Sequence, residues 1–160
     1  MRKTRFATLL TCCLLAITVL AWAAVPKAGL WETTSTTTFQ QSPIPGGIPG
    51  MSGAHTNQIC LTQAQVDKFN GAPAQPRGDC QQTNFTKTAD GFTVNIVCSG
   101  RTAMSGTYEA HYSGDGHGTS KMHMTGSMQG QPLEFTTVAE SNYKSADCGS
   151  VQPLPEHMSH

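Results

Sequence analysis

Apolar and polar side chains alternate with a period of two along most of this chain, and turn residues interrupt the alternation at short intervals. That period belongs to β-strands with one buried face, because successive side chains point to opposite sides of a sheet. The segment KMHMTGSM (121–128) shows it most clearly. Met122, Met124, Gly126 and Met128 fall on one parity, and Lys121, His123, Thr125 and Ser127 on the other. Its neighbours agree. A two-residue turn at Gln129-Gly130 pairs Met128 with Gln131, and so Gly126 with Leu133, Met124 with Phe135 and Thr125 with Glu134. A loop at SGDGH (113–117) pairs Tyr112 with Gly118 and so Tyr108 with Met122. Both registers gather Tyr108, Ala110, Tyr112, Met122, Met124, Leu133, Phe135 and Ala139 on one face, where thioethers pack favourably against rings.

Upstream, CQQTNFTKT (80–88) and FTVNIVC (92–98) flank Asp90-Gly91, a strong hairpin signal. GLWETTSTTTFQ (29–40) and HTNQIC (55–60) have the Thr and aromatic content of strands. Between them, the Pro/Gly-rich stretch 40–53 has neither helical nor strand periodicity and is expected to be a mobile loop. One helix is expected over 62–70. Thr62 and Gln65 have capping-box spacing, Val66 and Phe69 share a face, and Asn70-Gly71 forms a stop. Closely spaced strands with so little helix predict an all-β fold, an antiparallel meander forming a sandwich or small open barrel. Residues 149–160 read as a flexible C-terminal tail.

The first residues do not join this pattern. Arg2, Lys3 and Arg5 precede an apolar run that ends in Ala-Trp-Ala at 21–23, as in a cleaved signal peptide. A retained membrane anchor and a lipoprotein signal around Cys12 are the weaker alternatives, since the run is short and continues past Cys12. Cleavage after Ala23 leaves one domain over 24–148 and points to a periplasmic or secreted protein with no membrane span. It also leaves seven basic and ten acidic residues, a formal charge of −3. A mildly acidic, sparsely charged surface of this kind does not attract nucleic acid. Six cysteines become four, Cys60, Cys80, Cys98 and Cys148, an even number that reads as two disulfides in an exported chain. Three pairings are open. The favoured one joins Cys80 to Cys98 across the hairpin and Cys60 to Cys148.

Catalytic motifs are missing. GMSGA (50–54) lacks the last glycine of a nucleophile elbow and follows no strand. Glu109, Glu134 and Glu140 fall mainly on polar strand faces, RGD (77–79) reads as loop, and NFT (84–86) is a glycosylation acceptor only in a glycosylating host. A hydrolytic enzyme on a β scaffold therefore has no motif behind it. Thioethers and imidazoles would suit Cu(I). His111 and His117 flank one turn, with His123 on the next strand and His157 and His160 in the tail. His123, however, points away from Met122 and Met124 on a regular strand. Trp31 either fills the core or offers a stacking surface to a ligand, in a pocket formed with the 40–53 loop and the sheet.

The opening AGLWETT (28–34), the ICLT (59–62) before the short helix and the three later cysteines resemble a family of small exported proteobacterial proteins known only as a domain of unknown function. The resemblance covers roughly residues 27–148. It implies an exported protein and supplies no activity, ligand or catalytic residue. The resulting expectation is a non-enzymatic binding or envelope-associated module without a cofactor, its partner an unknown small ligand or envelope protein. A periplasmic copper or soft-metal binder is the alternative.

Overall fold

A computed structural model describes residues 26–69 and 78–153. The signal-like segment, the Asn70-Gly71 stop and the tail histidines lie outside the described residues.

Among the described residues the alternating segments form seven strands, β1 (Gly29–Gln41), β2 (Gly53–Leu61), β3 (Cys80–Lys87), β4 (Gly91–Cys98), β5 (Thr102–Tyr112), β6 (His117–Met128) and β7 (Gln131–Ser145), with one helix, α1 (Gln63–Phe69). They make a single antiparallel sheet in the order β2-β1-β7-β6-β5-β4-β3. The sheet is open, with β2 and β3 at its edges and no second sheet among the described residues. Strands β3 to β7 are the expected meander. The β1–β2 hairpin is added when β1 pairs with β7. Among the described residues no helix is long and apolar enough to cross a membrane.

Both expected registers are present. Met128 faces Gln131 and Met124 faces Phe135. Tyr112 faces Gly118 and Tyr108 faces Met122. The β6–β7 turn explains the first. Gln129 and Gly130 both have positive φ, 54° and 80°, as a tight hairpin of matching twist requires. Glutamine is a poor occupant of that region and asparagine a good one. Gln129→Asn is therefore expected to add about 0.5–1 kcal/mol. Thermal melting should show a rise of a few degrees, and an unchanged or lower midpoint would disprove this reading of the turn.

The β3–β4 turn sits one residue earlier than the sequence implies. Lys87 already faces Phe92, and the Thr88 N–H donates to Gly91 O, so the turn residues are Ala89 and Asp90. Gly91 belongs to the strand, where a Cβ would lie 1.8 Å from Ala110 O. Its job is to admit the neighbouring backbone. Strand β3 also carries a bulge between Thr83 and Thr86, with Asn84 at φ 53°. The extra residue reverses the parity of Phe85 and turns its ring onto Phe92, centroids 5.5 Å apart.

The apolar parity builds one core face with two neighbouring clusters. Phe92, Val94 and Ala110 pack with Tyr108 and Tyr112. Met104, Met124, Leu133 and Phe135 pack with Phe39, Met122 and Ile48. Burial among these groups raises the pKa of the Tyr112 hydroxyl well above its usual value and keeps it neutral. Ile48 comes from the Pro/Gly stretch. That stretch is a loop with its own turns, Gly47 N–H donating to Ile44 O and Met51 N–H to Ile48 O. At α1 the capping box is complete. The Gln65 N–H donates to Thr62 Oγ1 at 3.2 Å, and the Thr62 N–H to Gln65 Oε1 at 2.9 Å. Two disulfides close the fold, Cys60–Cys148 and Cys80–Cys98, the favoured pairing.

Candidate functional site

The polar parity of the same strands builds the opposite face of the sheet. Register lines its side chains up in rows across four strands. Thr34 of β1 faces Glu140 of β7, which faces Thr119 of β6, which faces His111 of β5. In the next row Thr36, Val138, Lys121 and Glu109 follow one another in the same way. These two rows line a groove of about 430 Å³. Its chemistry is mixed. Thr34, Thr36 and Thr119 bring hydroxyls that both donate and accept, Lys121 brings an ammonium beside the Glu109 carboxylate, and Val138, 49% exposed, adds an apolar patch.

The three candidate metal ligands lie on this polar face, each with its own acidic neighbour. His111 Nδ1 donates to Asp90 Oδ2 at 3.0 Å, and that bond, with a second from Thr88, holds the Asp90 carboxyl below its usual range. His117 Nε2 donates to Glu140 Oε1 at 3.0 Å. His123 Nδ1 shares a hydrogen bond with Thr136 Oγ1 at 3.1 Å, and its Nε2 lies 3.7 Å from Glu134. His117 and His123 stand six positions apart on one strand, about 20 Å at the rise of a strand. The three imidazoles are therefore not brought together. Among the described residues no group of three or more histidine, cysteine or acidic side chains is placed to hold one metal ion. Met122 and Met124 point to the other face, as their parity requires.

Trp31 is part of the core. It is 4% exposed, its indole N–H donates to Lys27 O at 2.8 Å, and its ring meets Tyr143 edge to face with centroids 5.6 Å apart. It keeps no open ring surface for stacking. The pocket expected between Trp31, the 40–53 loop and the sheet is not one place. The loop roofs a separate hollow of about 420 Å³ at Thr37–Phe39, with Ile44 and Pro45, at the far end of β1 from Trp31.

Residues 26–148 match the family described as a protein of unknown function, DUF3617. The chain belongs to that family. No curated protein and no solved structure matches it.

In this DUF3617 protein sequence reasoning weighed His111, Glu109 and Glu140 singly and did not group them with the rest of the groove. Lys121, Glu109, Thr34 and Thr36 each read as ordinary solvated strand surface. Only Val138 carried a signal, as an apolar side chain on the polar parity of EFTTVAES (134–141). Grouping them takes the β1–β7 pairing, which joins segments about a hundred residues apart in sequence.

Proposed function

We propose that the protein is an exported, non-enzymatic binding module that works in the periplasm after loss of residues 1–23, and that the groove on its polar face receives a small hydrogen-bonding ligand. The mixed lining of the groove carries this reading. Its volume lies within the range of small-molecule sites. Lys121 can meet a carboxylate or hydroxyl, Glu109 can accept from an ammonium or hydroxyl, and the threonines serve either kind of group. A compact ligand with donors and acceptors on one skeleton, such as an amino sugar or an amino acid, suits that set. Two disulfides support an oxidising compartment.

The test is a set of ¹H–¹⁵N spectra of the mature protein recorded with hexoses, amino sugars and amino acids in turn. The expected result is shifts confined to the amides of Thr34, Thr36, Lys121 and Val138 for at least one class. Val138→Trp should fill the groove and abolish those shifts without lowering the melting temperature by more than about 2 °C, since the site is on the surface. Shifts that survive Val138→Trp, or no shift with any class, would overturn the assignment.

A further inference from the structure

The two disulfides differ in what surrounds them. In the Cys60–Cys148 bridge, Cys60 is 4% exposed with Pro153 bridged alongside it, and Cys148 is partly buried. Cys80 is the first residue of the edge strand β3 and stands directly opposite Cys98. Both are only partly buried. A hollow of about 260 Å³ opens beside them, lined by Asp79, Cys80, Cys98, Ser99, Arg101 and Thr102. Arg101 supplies a cation there and Asp79 an anion, so this bridge is marked by a hollow that reaches both of its cysteines rather than by net charge.

We infer that Cys80–Cys98 is a thiol–disulfide exchange site, attacked by an external thiolate in the folded protein while Cys60–Cys148 stays closed. The hollow gives an incoming sulfur room to approach one of the two cysteine sulfurs. The new S–S bond forms as the Cys80–Cys98 bond breaks. One cysteine is left in a mixed disulfide and the other leaves as a thiolate, which takes a proton from water. A second external thiol attacks the mixed disulfide, releases that cysteine as a thiol and departs as the external disulfide. Two external thiols thus supply the two electrons that reduce the bridge. The fold should tolerate the loss, because this bridge closes a separation of only 18 residues and its strands remain hydrogen-bonded as a hairpin.

The experiment exposes the mature protein to graded reduced glutathione, traps free thiols with N-ethylmaleimide and maps the peptides. Cys80 and Cys98 should be alkylated at glutathione concentrations about tenfold below those that open Cys60–Cys148. Early samples should carry glutathione on Cys80 or Cys98, and the far-ultraviolet circular dichroism should not change. Simultaneous opening of both bridges, earlier opening of Cys60–Cys148, or reduction of Cys80–Cys98 only with loss of the dichroism would each overturn the inference.

Discussion

Replacing Cys60 and Cys148 together by alanine is expected to lower the unfolding free energy by about 4–5 kcal/mol, the larger of the two disulfide effects. This bridge spans a sequence separation of 88 residues and the other only 18. In the chain-entropy account the constraint on the unfolded state grows with the logarithm of loop length, so the short loop is worth about 3 kcal/mol. Topology adds to the difference. Cys80 and Cys98 face each other in a ladder that already holds them together. Cys60–Cys148 ties β2, at one edge of the sheet, to the segment that follows β7. The core gives little reserve, since it lies on one face of a single open sheet. A loss of about 4–5 kcal/mol is comparable to the whole stability of a marginal domain. Urea melts at 25 °C of the two paired variants should show Cys60→Ala/Cys148→Ala either unfolded or with much the lower midpoint. Equal midpoints would show that loop length does not govern the contribution of these bridges.

The same contrast between local and distant pairing marks what can be read from the sequence. The β5–β6 and β6–β7 registers follow from short loops, because a loop of fixed length leaves one alignment that keeps the methionines and aromatics on a single face. The capping box at Thr62 and Gln65 is equally local and was equally legible. Nothing near β1 announces that Thr37 will meet Thr137, where their hydroxyls lie 2.8 Å apart. That pairing places Thr34 and Thr36 beside Glu140 and Val138, so the groove stayed hidden until the strands were ordered. The bulge at Asn84 was hidden for another reason. A one-residue insertion reverses strand parity without changing composition, and Phe85, still 41% exposed, meets the buried Phe92 ring only because of it. Trp31 had two readings, and its near-complete burial against Tyr143 decides between them.

Within KMHMTGSM, Met124→Ala is expected to cost about 2–5 kcal/mol and His123→Ala less than about 1 kcal/mol. The two residues are adjacent in sequence and on opposite faces of β6. Met124 is 4% exposed and packs with Met104, Leu133 and Phe135, so truncation removes buried thioether and methylene contacts and leaves a cavity beside the Phe135 ring. His123 is 41% exposed on its side chain and shares one hydrogen bond with Thr136, a surface contact of small net worth. Chemical denaturation of the two variants measures both costs, and peroxide gives an independent reading of the same geometry. Met51, 39% exposed on the Pro/Gly loop, should form its sulfoxide in the native protein, whereas Met124 should resist until the protein unfolds. If Met124 oxidised as fast as Met51, the thioether would be facing solvent and free to act as a soft ligand. If His123→Ala matched Met124→Ala in cost, the imidazole would be sharing the structural role. The alternation that defines β6 as a half-buried strand forbids both, because one register cannot place residues 123 and 124 on the same side of the sheet.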